Sequence, residues 1–517
     1  MRIFPVKINT RRAGVAALLI GAASVVSVQA CTDLKETPTS ALSPDNYYNT
    51  SAEVIGGLAG VYANLRTTLD DYWNAGQVSS DETVVPTRGA DWYDGGAWLD
   101  LKRQTFTANS PSSGTINGAW VNLWSGVAKA NAVLSALSGK TVPNQKAITA
   151  ELRALRALYY ICLMDGFGNV PIVTTTEIKP RAQDPRADVF KFVETELLAA
   201  RADLPAKWDA ANYGRLTQGA ADAMLVSIYL NAQIYGGTVT ASGITPGAAR
   251  WADVVTVADR IINSGTYTLA SEWKSNFVYN NQNSPENIMV IRFSTVDGLG
   301  LVFNNRALHY NSWNFGGWNG FSTVSDVYNA FDPTDVRRNM FLAGPQVNLS
   351  TGAPAKDRAG NPLVFTVDFK DITQAAENEG ARFYKYPVDP TSANQNMGND
   401  YAYFRLGEMF LAKAEALNEQ GQTAAAIALV NQVRTRAFTT AKPISTGLSQ
   451  TQARTAIFNE RLFELAGEGK RRQDQIRAGT YTKPFQFKPG SDAWKAVWPI
   501  PQSQLSTNPL LKQNPGY

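Results

Sequence analysis

The sequence predicts a mostly α chain, built from a few irregular helical hairpins with long aromatic loops inserted between them and minor β content. Three features lead there. Apolar residues recur at spacings of three and four through a series of blocks. The blocks fall into consecutive pairs, and the stretches between them are crowded with glycine, asparagine and aromatic rings that follow neither helical nor strand periodicity.

In chain order, Ser51 to Thr68 reads as a helix with Val54, Leu58, Val61, Tyr62 and Leu65 on one stripe, and Trp120 to Leu137 follows the same rule. Ala147 to Asp165 pairs with Arg186 to Leu204. Thr217 to Tyr235 pairs with Trp251 to Ser264, whose Val254, Val257, Ala258, Ile261 and Ile262 form one face. Tyr401 to Glu419 and Thr423 to Arg436 make a further pair across Gly421, and Gln450 to Arg477 supplies a last helical segment interrupted at Gly467 and Gly469. Such pairs cannot bury their stripes alone and stack on their neighbours, as in tetratricopeptide arrays. The second helices begin near residues 186, 251 and 423, so the family period of roughly 34 residues is absent and the stack is irregular. Residues 70–113 and 266–400 are too long for simple connections and are expected to form the ligand face. Short strands are expected at Asn287 to Phe293 and Leu363 to Phe369.

The chain of 517 residues is 44% hydrophobic and 18% charged, which is globular and not disordered. One histidine, His309, and two cysteines leave little room for His-ligated zinc or for Ser-His and Cys-His nucleophiles. The net charge of +4 resides in a leader, where Arg2, Lys7, Arg11 and Arg12 occur without an acid; the remainder balances at 44 basic and 44 acidic residues. That balance argues against nucleic acid as a partner. The basic cluster Arg461, Lys470, Arg471, Arg472 and Arg477 shares its segment with Glu460, Glu464 and Glu468 and is expected to be a solvated, ion-paired surface.

The leader is an export signal: a basic start, an apolar run of 16 residues from Ala13 to Val28, and Ala30 before Cys31. The run is short for a membrane span. Val28-Gln29-Ala30-Cys31 resembles the lipobox of bacterial lipoproteins, although Gln29 is bulkier than the usual residue there. Residues 1–30 are therefore expected to be removed, with Cys31 lipidated as the mature terminus, while length alone leaves the domain count of residues 31–517 open. The competing reading is ordinary cleavage after Ala30. Cys162, on an apolar helical face, is expected to be a small buried side chain.

Two loops carry candidate binding chemistry. Between Phe303 and Phe331 lie Tyr310, Trp313, Phe315, Trp318, Phe321 and Tyr328, interleaved with asparagines and glycines. An exposed ring can lie against the apolar face of a sugar while amides and carboxylates satisfy its hydroxyls. For any single ring, a place in the core is the competing assignment. The second loop, Arg88 to Asp100, brings Trp92, Tyr93 and Trp98 together with Asp91, Asp94 and Asp100. Its acids lack EF-hand spacing, so no metal is assigned; they are read as solvated loop acids or hydroxyl acceptors, with a calcium loop as the alternative. Trp92, Trp98, Tyr310, Trp313 and Trp318 are the expected stacking platforms, and Asp81 and Arg382 the polar groups that fix orientation. An ion pair is the competing reading of Arg382 and Lys385. No catalytic residue or cofactor is assigned, because adjacent Asp81 and Glu82 carry no information about a glycosidase carboxylate separation.

A set of motifs in order from Cys31 to Tyr517 resembles the SusD/RagB family of surface lipoproteins. The early ones are Pro44 to Tyr48 (PDNYY), Ser80-Asp81-Glu82, Gly89 to Gly96 (GADWYDGG), Trp120 to Leu134 and Leu152 to Pro171. The late ones are more specific: Tyr403 to Leu417 (YFRLGEMFLAKAEAL), Asn431 to Ala437 (NQVRTRA), Asn459 to Glu468 (NERLFELAGE) and Trp498 to Tyr517. Gly467 and Arg472-Gln473 depart from the aromatic residues usual there. The resemblance implies that residues 31–517 form a single domain with a mostly α SusD-like fold of about four tetratricopeptide-like hairpins, and a lipid-anchored, cell-surface position on the outer membrane. It also implies a partner resembling the TonB-dependent transporter SusC, and non-catalytic capture of oligosaccharide or polysaccharide for delivery to it. Peptide cargo, as in some members of the family, and a surface glycoside hydrolase are the alternatives.

Overall fold

The computed structural model describes Tyr48 and residues 50–517. The leader and Cys31 lie outside the described residues. The longer helices are α1 (Ser51–Asn64), α2 (Asp71–Val78), α3 (Ala97–Arg103), α4 (Ser113–Leu137), α5 (Gln145–Phe167), α6 (Arg186–Asp203), α7 (Gln218–Leu230), α8 (Trp251–Ile262), α9 (Leu406–Glu419), α10 (Thr423–Thr435), α11 (Gln450–Leu465) and α12 (Arg471–Arg477). They pack as the hairpins α1/α4, α5/α6, α7/α8 and α9/α10, each leaning on the next through α4/α5, α6/α7 and α8/α9. Among the described residues no helix is long and apolar enough to cross a membrane.

The boundaries follow local chemistry. Thr50 and Glu53 close a capping box at the start of α1, and Ser449 and Gln452 do the same for α11. Gly467 and Gly469 both take positive φ (75° and 70°), a region open to glycine at little steric cost, and so separate α11 from α12. The stripes read from the sequence are the buried faces: Val54, Leu58 and Val61 of α1, and Val254, Val257, Ala258 and Ile261 of α8. Cys162 is buried beside the Tyr403 hydroxyl, and burial pushes its thiol up to about 12.

Two expectations are corrected. Residues 401–405, read as the start of a helix, form a strand that pairs antiparallel with Asn287–Ile291, with Tyr401 opposite Ile291. Its Tyr-Ala-Tyr-Phe run suits a pleated buried surface better than a helical turn. The segment 70–113, read as loop, contains α2 and α3. The buried side of α2 includes Asn74 and Gln77, polar residues that hide a helix from any search by hydrophobic period.

A small antiparallel sheet positions the loops. Its strands are β1 (Thr83–Val84), β2 (Ser322–Thr323), β3 (Phe341–Leu342) and β4 (Arg382–Phe383), in the order β1-β2-β4-β3. Thr83 lies opposite Thr323, and Ser322 opposite Arg382. The first aromatic loop leaves from β1 and the second arrives at β2, so one antiparallel strand pair sets both.

A buried ionic lattice joins the C-terminal helices to this frame. Arg405 donates through Nε and Nη2 to Glu468 (2.8 Å each) and through Nη1 to Glu286 (2.9 Å) and Glu464 (2.5 Å). Arg436 bridges Glu286 and Glu464, and Arg337 joins Glu460 (2.7 Å), Glu464 (2.8 Å) and Asp335. All of these groups are buried. Burial alone would raise Glu464, but Arg436, Arg405 and Arg337 outweigh it and hold its carboxyl well below the usual range. The expected solvated surface is therefore corrected: Arg461, Arg471, Arg472, Glu460, Glu464 and Glu468 are ion-paired, and they are inside. Arg472 fills its non-aromatic position by lying 4.8 Å from the Trp498 ring and pairing with Asp165 at 2.8 Å.

Candidate functional site

The loop Arg88–Asp100 lies against the loop 310–321. Glycines at 95 and 96, both at positive φ, fold the first loop back on itself ahead of α3. Trp92 donates its indole N–H to the Trp318 carbonyl at 2.5 Å, and its ring lies over Gly320, where a Cβ would come within 2.3 Å of it. Trp92, Trp98 and the buried Phe321 pack edge to face with centroids 5.4 to 5.6 Å apart. Tyr310 in the second loop donates its hydroxyl to Asp91 in the first.

The convergence is braced from below by two buried arginines, Arg88 and Arg382, that have no carboxylate partner among the described residues. Arg88 donates to the carbonyls of Asn319 and Glu379 (2.8 Å each), and Arg382 to the Asn319 side chain (2.8 and 3.0 Å) and the carbonyls of Glu379 (2.6 Å) and Glu377 (2.8 Å). Burial pushes the Arg88 guanidinium down to about 10 and holds the Arg382 guanidinium well below its ordinary value, with Arg88 beside it adding to the effect. A carbonyl cage satisfies the donors without introducing a second charge.

Above this base, rings face solvent. Trp318 is 37% exposed, Phe315 38% and Tyr93 57%, while Trp92, Trp98 and Tyr310 are half-buried. Gln395 fixes Trp318 by accepting its indole N–H at 3.3 Å, and donates to the Phe315 carbonyl at 2.8 Å. Arg358 lies 4.3 Å from the Tyr310 ring centre and is held by Glu377 at 2.7 Å. The ledge thus combines exposed rings with amide, guanidinium and carboxylate groups.

Three expected site residues are placed otherwise. Trp313 is 4% exposed and belongs to the core, packed edge to face on Phe315 at 4.9 Å. Arg382 is wholly enclosed, and its donors are spent on the loop backbone. Asp81 is locked in a two-pronged pair with Arg471 (2.8 Å twice), so it orients a helix and not a ligand. Lys385 likewise is consumed by Glu468 and the Ala466 carbonyl. The loop acids diverge: Asp91 serves Tyr310, Asp94 accepts from Trp98 at 2.6 Å, and Asp100 is buried against Ser110 and Ser112. Among the described residues no group of three metal-ligating side chains converges. His309 is buried beneath the ledge, and burial lowers its imidazole to about 4, so it is neutral at pH 7.

Sequence reasoning missed Arg358 and Gln395. Neither stands near an aromatic residue in the chain; both arrive from separate segments through the fold. Phe315 and Tyr93 were visible in the aromatic runs, but nothing in the spacing distinguishes them from Trp313.

Known proteins share this architecture. The SusD family profile matches residues 260–517, and a second profile, described as starch-binding associating with outer membrane, matches residues 42–230. The chain belongs to the SusD family. Among curated SusD relatives, SusD-like protein P2 of Formosa agariphila is 25% identical, covering 95% of this chain and 98% of that one. Starch-binding protein SusD of Bacteroides thetaiotaomicron is 24% identical over 84% of each. Among solved SusD-like structures, a laminarin-binding protein superposes with a TM-score of 0.70 at 23% identity, covering 91% of this chain and all of the other. Surface glycan-binding protein A from Bacteroides thetaiotaomicron, in complex with laminarihexaose, gives 0.71 at 20% identity and covers 90% of this chain. At these identities the superpositions establish the SusD fold, which agrees with the mostly helical hairpin architecture.

Proposed function

We propose that this chain is a non-catalytic glycan-binding lipoprotein of the bacterial cell surface, which captures oligosaccharide on the ledge and delivers it to a SusC-like TonB-dependent transporter. The observation that carries the reading is the placement of the Trp318 and Phe315 rings in solvent, on loops that buried Arg88 and Arg382 hold rigid. A folded protein gains nothing in core stability from a ring left exposed, whereas a sugar ring gains an apolar platform. Binding by relatives named for starch, laminarin and laminarihexaose supports carbohydrate as the ligand class, and the family's described association with the outer membrane supports the location. The lipobox-like sequence at Cys31 supports a lipid anchor.

Trp318, Phe315, Trp92, Trp98 and Tyr310 supply the stacking surfaces in this reading, and Arg358, Gln395 and Asp91 the hydroxyl partners. Calorimetry with laminarihexaose, maltohexaose and xylohexaose tests the binding, with release of new reducing ends followed in the same samples. Binding without cleavage is expected; new reducing ends would convert the assignment to a hydrolase. Cys31→Ala should release the protein from the outer membrane, and purification from native membranes should recover a TonB-dependent barrel.

A further inference from the structure

A second concavity lies apart from the ledge. A cleft of about 940 Å³ opens between the 206–217 loop, the segment 282–293 and residues 398–400, near the upper end of the range of about 300–1,000 Å³ typical of ligand sites. It shares no lining residue with the ledge. Its walls repeat the ledge's chemistry: Trp208, Tyr213 and Phe293 supply rings, and Asn283 and Asn287 supply amides.

The walls are also fixed in place. Trp208 donates its N–H to the Leu216 carbonyl at 2.8 Å, and the Arg215 guanidinium lies 4.0 Å from its ring centre, itself held by Glu151 at 2.5 Å. Gly214, at a φ of 89°, lets the Arg292 side chain pack directly on the loop backbone. Charged groups accompany the rings. Arg292 is exposed at the cleft and forms no ion pair among the described residues, its guanidinium lying 5.5 Å from the Tyr213 ring centre, and Asp400 lines the same cleft. A polyhydroxyl ligand with apolar faces matches both the rings and these polar groups. The segment 395–400 borders both sites, since Gln395 holds Trp318 on the ledge while Gly398 and Asp400 line the cleft.

We infer that this cleft is a second oligosaccharide-binding site, so that one molecule engages two stretches of the same glycan class. The inference rests on the carbohydrate reading of the ledge. Two linked sites raise the avidity for a long polymer without any new contact, provided one chain spans both.

The test is calorimetry on the whole mature protein with laminarihexaose, maltohexaose and xylohexaose, using the wild type, Trp318→Ala and Asn283→Trp. Asn283 is exposed at the cleft rim, so the indole fills the cleft without touching the core, and thermal melting verifies folding. The expected result is two ligands per wild-type molecule, with Trp318→Ala weakening one by about tenfold or more and Asn283→Trp weakening the other at least tenfold. One ligand, weakened by Trp318→Ala and unaffected by Asn283→Trp, overturns the cleft and leaves the ledge standing. One ligand with the opposite pattern overturns the ledge and retains the cleft. If none of the three hexasaccharides binds, both fail. Binding of an alternating Thr-Val octapeptide that Asn283→Trp abolishes, with no saccharide bound there, would assign the cleft to extended peptide and overturn the inference.

Discussion

The ionic lattice around Arg405 and the aromatic ledge around Trp318 invert the usual placement of residue types. In the lattice, Arg405, Arg337, Glu286 and Glu464 are enclosed and the Arg436 side chain is 6% exposed; in the ledge, tryptophan, phenylalanine and tyrosine face water. Apart from the Arg436 Nε atom, the lattice is satisfied internally, because the guanidinium groups of Arg405, Arg337 and Arg436 meet carboxylate oxygens or carbonyls. The ledge rings Trp318, Phe315 and Tyr93 instead leave 37%, 38% and 57% of their surface to solvent among the described residues. The difference separates roles: groups that are internally complete hold the fold, and groups that are internally incomplete are available to a ligand.

Breaking the lattice should give the largest effect. Arg405→Met leaves Glu286, Glu464 and Glu468 short of their common cation, and removing one partner from a buried pair costs about 3–5 kcal/mol. A large drop in the thermal midpoint is expected, while any folded fraction still binds glycan. An unchanged midpoint would show that the lattice is dispensable. Trp313→Ala should follow, since it opens a core cavity worth about 3–5 kcal/mol, lowering the melting temperature by several degrees. Arg88→Met crosses the comparison, because the arginine is buried yet braces the ledge. Loss of its carbonyl bonds should cost about 1–3 kcal/mol of stability, measured by denaturant titration, and should weaken glycan binding as the loops relax.

The smallest expected effect is a pH dependence of opposite sign at two acids. The Glu464 carboxyl, held down by Arg436, Arg405 and Arg337 against its burial, contributes stability above its unfolded pKa and loses it as pH falls through the folded value. Glu82 is raised to about 7 by burial and by Asp81. Its contribution is full below the unfolded value near 4.5 and is lost as pH rises through 7. Glu82→Gln should therefore be more stable than the wild type at pH 8 and closer to it at pH 4, as read from thermal melts. A difference that grows toward acid pH would contradict the assignment.

The comparison also shows what the sequence could reveal. The hairpins were legible because Val54, Leu58 and Val61, or Val254, Val257 and Ile261, bury apolar faces whose period survives in the text. The strand at 401–405 was not, because its pairing with Asn287–Ile291 is set across more than a hundred residues of chain. The lattice was seen as a charge cluster, but opposite charges look alike whether solvated or buried. At the site, the two aromatic runs were readable, whereas their convergence through Trp92 and Trp318 was not, because it is set by pairing across more than two hundred residues of chain. Which rings face out was not: Trp313 and Trp318 share a glycine and asparagine setting, and only the packing of Trp313 beside Phe315 separates them. Arg382 attracted attention as a charge near the loops, whereas its geometry makes it their brace.

The most direct measurement is calorimetric affinity for laminarihexaose, maltohexaose and xylohexaose in the pair Trp318→Ala and Trp313→Ala, with the thermal midpoint of each variant recorded alongside. Trp318→Ala should weaken binding at the ledge by about 1–3 kcal/mol, by analogy with loss of an aromatic stacking partner, at an unchanged midpoint. Trp313→Ala should lower the midpoint. Full affinity in Trp318→Ala, or a midpoint drop there matching that of Trp313→Ala, would contradict the assignment of the exposed ring to the ligand.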